Sequence, residues 1–464
     1  MAEGVTTPLD QASLAAFREA FRGEVTLPHD PGYEAARVVW NAVIDRRPAV
    51  VATCTGVDDV VAAIRFGRDH GLPIAVRGGG HSVGGFSTCD GGIVLDLSGM
   101  RGVRVDPEAR TARADGGALL GDLDRAAQEV GMAVPVGVVG HTGVGGLTLG
   151  GGMGRLQRKH GFSIDNLLGV ELVTADGRVI WADEDQEPEL FWGIRGAGPN
   201  FGVVTGFRFR MHPVGPDMTQ GWVGHRIERA HEIATLFRDY AASAPREVFL
   251  SLAFGRVGPD DPFPPELVGR PVVILGAAHS GSEQAAEGDL ATVREPGALA
   301  DSITRKTYLD MQTQGDEAMA WGKRFYSKGG FVDELTDELV DVATAQAEAA
   351  PGECTVGFWA QGGAIADVPA DATAFNGRHA AFWVGAEATW EDPARDDQFV
   401  GWGRAAWDAL TPFTVAGHYV NDLVESGEDL VRAAYGPAKY ERLVAIKRAF
   451  DPDNVFHLNQ NVRP

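Results

Sequence analysis

Cysteine is nearly absent: the 464-residue chain has three, Cys54, Cys89 and Cys354. An odd number without CxxC spacing supports neither a disulfide framework nor a zinc site, so no metal is expected. A surplus of positive charge is missing too. Lysine and arginine number 41 against 64 aspartates and glutamates, a formal net charge of -23, which argues against nucleic acid or an anionic membrane as partner. No stretch approaches the ~20 consecutive apolar residues that span a bilayer. The N-terminus, MAEGVTTPLDQASLAAFREAF, has no basic segment followed by a long apolar run, so no signal peptide is visible. The expectation is a cytoplasmic enzyme with a small-molecule substrate. No repeat, low-complexity linker or signal of oligomeric state is present.

What is present is an ordinary globular composition, 44% hydrophobic and 23% charged, on a chain long enough for two or three compact units. Residues 10–23 read as an amphipathic helix with Leu14, Phe17 and Phe21 on one face and Gly23 as its stop. AVVATC, then VDDVVAAIRFGRDHG, then PIAVR give strand, helix and strand with short connections, an α/β unit. Further strands are expected at 91–97, 111–117, 170–182 (with a DG turn) and 202–214. After Pro213 the texture changes: VFLSLAFGRV, PVVILGAAHSG, CTVGFWAQGGAIADV and HAAFWVGAEATW look like strands, with helices at 230–243, 333–349 and 396–410. A last helix opens at Pro437 and is followed by the polar tail HLNQNVRP.

Two glycine-rich runs carry the chemistry. Arg77-Gly78-Gly79-Gly80-His81-Ser82-Val83-Gly84-Gly85 follows the PIAVR strand directly. Three glycines in a row remove every Cβ, so backbone can approach a ligand and successive N–H groups can converge on an anion. This gives an acidic protein a local field for a diphosphate. The second run, GVVGHTGVGGLTLGGGMG at 137–154, interleaves its glycines with Val144, Leu147, Leu149 and Met153, unlike a polar linker. Neither run fits GxGxxG followed by a helix and an acidic residue, so a Rossmann NAD site is not supported.

With VRGGGHSVGGFSTCDGGIVLDLS, GHTGVGGLTLGGGMGRLQRKHGFSIDNLLGVELVTADG, ELFWGIRGAGPNFGVVTGFRF and the terminal YVNDL…AAYGPAKYERLVAIKRAFDPDNVFHLNQN, the sequence resembles the vanillyl-alcohol-oxidase-type flavoproteins. Within them it resembles the berberine-bridge-enzyme-like oxidoreductases, in the branch containing the flavoenzyme of bacterial enterocin biosynthesis. The resemblance implies an α+β fold: a two-part FAD-binding domain, residues 1–212 and 413–464, around an inserted α+β substrate domain, 213–412, with an antiparallel sheet backed by helices. It implies FAD held by a single covalent bond from His81 to the flavin C8-methyl. Val139 stands where some relatives place a second-link cysteine.

The same resemblance implies cofactor contacts from Arg77, Gly78, Gly79, Gly80, Ser82, Gly84 and Gly85, and from Thr142, Gly143, Gly146, Gly150 and Gly151. It adds Asp165, Asn166, Gly202, Val204, Tyr419, Asn421 and Asn459. Asp165 and Asn166 also suit capping of the turn after His160-Gly161, and both readings stand. Thr142 falls where relatives shape the oxygen-reactive pocket. Tyr419 is the candidate catalytic phenol, provided that a cation or strong hydrogen bond lowers its pKa of ~10; packing against the flavin is the other reading. In the enterocin branch the catalytic glutamate and active-site tyrosine fall on Gly357 and Ala253 here, so Gln361 and Trp359 become candidates for the cleft. The implied activity is that of an oxidase: hydride passes from an alcohol or other activated C–H to FAD, with O2 as acceptor. Two alternatives are an oxygenating flavoenzyme working through a flavin–oxygen adduct and a flavin-binding protein with little turnover.

Overall fold

The first helix forms where apolar spacing puts it, at Gln11–Ala20, with Asp10 accepting from the N–H groups of Ala12 and Ser13 at its start. Leu14 and Phe17 are buried, and the helix ends at Ala20, short of Gly23, because Phe21 is already extended. The computed structural model describes residues 10–464 apart from 199, 295, 296, 416 and 426.

Four strands make the first sheet: β1 (Glu24–Thr26), β2 (Val50–Thr53), β3 (Ile74–Arg77) and β4 (Ile93–Asp96), in the order β1-β2-β4-β3. β2 and β3 both run parallel to β4. Parallel neighbours require a crossover, supplied here by the helix Val57–Asp69, whose Val60, Ala63, Ile64 and Phe66 are buried. Arg77 and Asp96 close β3 and β4 as register partners and form a buried ion pair at 2.8 Å. The RGGGHS loop therefore leaves the sheet from a fixed point.

A second, antiparallel sheet orders β5 (Val103–Asp106), β6 (Thr111–Asp115), β8 (Leu167–Val173), β9 (Val179–Ala182) and β10 (Val203–Arg210) as β5-β6-β10-β8-β9; β7 (Met132–Ala133) pairs apart with β11 (His212–Pro213). The expected strands at 111–117, 170–182 and 202–214 all fall here. Tyr435, Tyr440, Leu443 and Ile446, from the helices Glu428–Tyr435 and Pro437–Phe450, share one core with Leu190, Phe191, Trp192 and Phe207. The end of the chain thus packs against its first half.

Between these parts lies an antiparallel sheet of eight strands: β12 (Asp217–Arg226), β13 (Val248–Arg256), β14 (Pro271–His279), β15 (Ala300–Asp301), β16 (Thr304–Thr307), β17 (Arg324–Val332), β18 (Cys354–Ala360) and β19 (Phe382–Trp390). Side chains alternate across it with period two. Leu250, Leu252 and Phe254 of β13 and Val384 and Ala386 of β19 pack with the helices Ala230–Ser243, Asp337–Ala349 and Asp396–Leu410. The opposite face turns Phe325, Ser327, Trp359, Trp383 and Glu387 towards a cavity.

The inserted sheet is tied to the first half by a buried polar cluster. Asp124 accepts from Tyr308 Oη at 3.1 Å and Gln312 Nε2 at 3.2 Å. Burial pushes its carboxyl up to about 7, against the pull of those two hydrogen bonds. The protonated form is therefore favoured in the folded state, and ionisation costs stability as pH rises from the ordinary carboxylate range towards neutrality. Asp124→Asn is expected to gain in melting temperature relative to the parent between about pH 5 and about pH 8; a constant difference across that range would contradict this.

Candidate active site

The two glycine-rich runs meet backbone to backbone. A Cβ on Gly79 would sit 2.1 Å from the Gly143 nitrogen, and a Cβ on Gly143 would sit 2.3 Å from the Gly79 nitrogen. Neither position accommodates a side chain. The second run is not extended throughout: Val144–Gly150 forms a short helix, since Val144 and Leu149 need a buried face. Asn421 ties this helix to the C-terminal segment, donating to Leu147 O at 3.1 Å, and Gly150 has no Cβ where the Asn421 amide packs.

Beside the junction opens a cavity of about 520 Å³. One wall holds Gly78, Gly79, Gly80, His81, Ser82, Thr142, Gly143 and Gly146, another Tyr419, Asn421, Asp422, Asn459 and Gln460, and the eight-stranded sheet supplies the third. Of the residues expected from sequence, these glycines with His81, Ser82, Thr142, Tyr419, Asn421 and Asn459 come together. The others lie elsewhere. Arg77 is held by Asp96 and by the Val38 carbonyl. Gly84 and Gly85 pack against Phe86 and Ile44, and Gly151 against Phe375, behind the wall. Gly202 backs onto the Val173 carbonyl and Val204 lies in the core of the second sheet.

Asp165 and Asn166 follow the capping reading. Asp165 accepts from Phe162 N and pairs with Arg378 through both oxygens, at 2.9 and 2.6 Å. Asn166 donates to the carbonyls of His160 and Phe162. Gln361 is also off the cavity: it follows β18, is buried, and both of its amide atoms lack a hydrogen-bond partner. Gly362 and Gly363, with φ of 82° and 58°, turn the chain away there. Trp359, two residues earlier, does reach the cavity.

Tyr419 stands on the wall but not as a base. Its oxygen accepts from Gly152 N at 3.2 Å and Asn421 Nδ2 at 2.9 Å. Burial pushes the phenol up to about 12, and neighbouring Asp422 adds to the rise. The facing charge is negative, the opposite of what an ionised phenol needs.

The acid–base candidates are two carboxyls that sequence reasoning missed. Glu387, on β19, is open to the cavity yet surrounded by protein, and burial raises its pKa. Asp422 accepts from Trp383 Nε1 at 2.8 Å; burial pushes it up to about 7, the Trp383 bond opposes this and the Glu387 charge adds to it. The available signals were an acid at the third position after Tyr419 in YVND and a lone acid in the apolar strand FWVGAEATW.

His81 projects from the first loop and stacks on Trp40, centroids 4.5 Å apart. Burial, with His141 nearby, depresses its pKa to about 3, so it is a neutral imidazole with a free lone pair. Its Nδ1 lies 3.4 Å from Thr142 Oγ1. All three cysteines are buried and free, and none lines the cavity, whereas Val139 does. The cavity suits an elongated prosthetic group: one side is Cβ-free backbone, a neutral nucleophilic imidazole faces it, and the wall atoms Ser87 Oγ and Gln460 Oε1 have no hydrogen-bond partner.

Residues 48–183 match the family model of an FAD binding domain, and residues 418–463 that of berberine and berberine-like proteins. The chain is 33% identical to (R)-6-hydroxynicotine oxidase of Paenarthrobacter nicotinovorans, over 96% of this chain and 97% of that protein. It is 30% identical to an FAD-linked oxidoreductase of Dictyostelium discoideum, over 92% and 91%. The crystal structure of 6-hydroxy-D-nicotine oxidase from Arthrobacter nicotinovorans superposes with a TM-score of 0.86 at 30% identity, covering 96% of this chain and 98% of that one. Xylooligosaccharide oxidase from Myceliophthora thermophila shares the fold, with a TM-score of 0.85 at 23% identity and coverage of 98% and 99%. Fold and site together define an FAD-binding oxidoreductase of mixed α+β architecture. The chain belongs to the berberine-bridge-like FAD-linked oxidoreductases.

Proposed function

We propose that the chain is an FAD-dependent oxidase acting on an alcohol or other activated C–H of a small molecule, with dioxygen as electron acceptor and one covalent bond from His81 to the flavin. Residues 1–212 and 413–464 form its cofactor domain and 213–412 its substrate domain. The observation that carries this reading is the cavity itself, with Cβ-free backbone and a neutral His81 on one side and a pair of proton-accepting carboxyls on another. FAD supplies the two-electron acceptor when bound. Gly78–Gly80 and Gly143–Gly146 give its backbone cradle, and Asn421 and Asn459 border it. Trp359 and Trp383 keep water from the substrate. Glu387 and Asp422, which titrate as a pair, take the donor's proton as its hydride leaves. Tyr419 orients the turn that carries Asp422.

In the enterocin branch a glutamate and a tyrosine occupy the positions of Gly357 and Ala253, which here face each other in register across β18 and β13. The chain lacks that chemistry's side chains, so the oxidase reading is preferred to the oxygenating one. Anaerobic mixing with a panel of alcohols, amines and phenolic compounds tests it: bleaching of the flavin, followed in air by one peroxide per turnover, is expected. A panel that bleaches nothing would favour a flavin-binding protein with little turnover. For the covalent bond, His81→Ala is expected to release its flavin on acid precipitation and to show no flavin fluorescence in a denaturing gel; a fluorescent band in that variant would rule out His81 as the attachment point.

A further inference from the structure

His81 is the first member of a hydrogen-bonded chain. Its Nε2 lies 2.7 Å from His141 Nδ1, and His141 Nε2 lies 3.2 Å from the main-chain oxygen of Asp316. A carbonyl only accepts, so His141 carries its hydrogen on Nε2. In the neutral form of His141, which has one N–H, Nδ1 is then an acceptor and the hydrogen of His81 sits on Nε2. The lone pair of His81 is thereby fixed on Nδ1, the nitrogen beside Thr142 Oγ1.

The chain is held rigidly. Trp40 stacks on the His81 ring, and the Asp316 carboxylate accepts from Gly140 N at 2.7 Å. Asp316 therefore grips residues 140 and 141 with both its side chain and its carbonyl. It follows the helix Tyr308–Thr313, so the eight-stranded half of the molecule positions a residue of the glycine-rich run.

We infer that His141 is the base for flavin attachment: it takes the Nε2 proton of His81 as Nδ1 bonds to the flavin C8-methyl carbon. This rests on the FAD reading above but not on any substrate. The change balances as follows in atoms and electrons. One C–H bond of the methyl and the His81 N–H bond are broken, one C–N bond is formed, and two electrons with two protons pass to dioxygen as hydrogen peroxide. Without a base, His81 would retain a proton on Nε2 once Nδ1 is bonded and would remain a buried cation. Burial already disfavours that form, holding the free side chain's pKa well below the ordinary histidine range.

Covalent occupancy, followed by intact mass and in-gel flavin fluorescence after FAD is added to full-length protein made under flavin limitation, tests the inference. The parent is expected to bind FAD and convert it to the covalent form. His141→Ala should turn equally yellow but attach the flavin on the order of a hundred-fold more slowly, and added imidazole should restore the rate. His141→Gln keeps an acceptor for the His81 N–H without taking up a proton; it should also be slow, and it carries the test if the alanine variant does not fold. Attachment at the parental rate in either variant, or failure of imidazole to rescue the alanine variant, overturns the assignment. Failure of the parent to take up FAD would instead refute the proposed function.

Discussion

Glu387→Gln is expected to slow reduction of the flavin by substrate by about 10²–10⁴-fold while leaving FAD bound and covalently attached. Glu387 projects from the cavity-facing side of β19, in the same row as Trp383 and Thr389, and burial raises the pKa of its carboxyl. Asp422 beside it is raised to about 7, partly by the Glu387 charge. A base works deprotonated, so the parental rate should climb with pH through the raised range of the pair. Removing the Glu387 charge lets the Asp422 pKa fall, and the residual activity of Glu387→Gln should extend to lower pH. Rapid anaerobic mixing across a pH series gives both the rate and the profile. Unchanged values for both would remove Glu387 from the reaction.

Gly143→Ala is expected to abolish uptake of FAD, or to weaken it by about ten-fold or more, with the rest of the fold retained. A methyl there would press on Gly79 N at 2.3 Å, against backbone that no rotamer change can relieve. The loops must part, an overpacking cost of about 1–3 kcal/mol or more, and they part at the line where the cofactor lies. Gly401, in the helix Asp396–Leu410 away from the cavity and with open space around its missing Cβ, is the control: Gly401→Ala leaves both the loops and the site as they are. Titration of each protein with FAD, alongside its melting curve, separates a lost site from a lost fold. Equal affinity in Gly143→Ala and the parent would show that the junction does not shape the site.

The sequence carried the secondary structure well wherever one face is buried and the other wet. The helix Val57–Asp69 and the strands flanking it were legible from spacing alone, as was Pro437–Phe450. β12 and β17 escaped notice. DMTQGWVGHR and RFYSKGGFV interrupt their apolar residues with glycines and polar residues, so the alternation that marks a strand is blurred. The site divides along a similar line. The glycines that touch were readable because close backbone approach excludes every other residue type, whereas His81 and Thr142 were marked by the family resemblance of the motifs around them. Arg77, Asp165 and Asn166 sit inside the same motifs, but they hold the loops by ion pairs and capping bonds. Glu387 and Asp422 belong to segments 35 residues apart that only the three-dimensional register brings to one cavity.

The walls of the cavity come from positions as distant in the chain as Trp40 and Gln460. A nascent chain therefore has no complete cavity until residue 460 has been made, and long-range pairings of this kind form late in folding. Under the proposed function, uptake of the flavin is expected to follow synthesis of nearly the whole chain rather than accompany it.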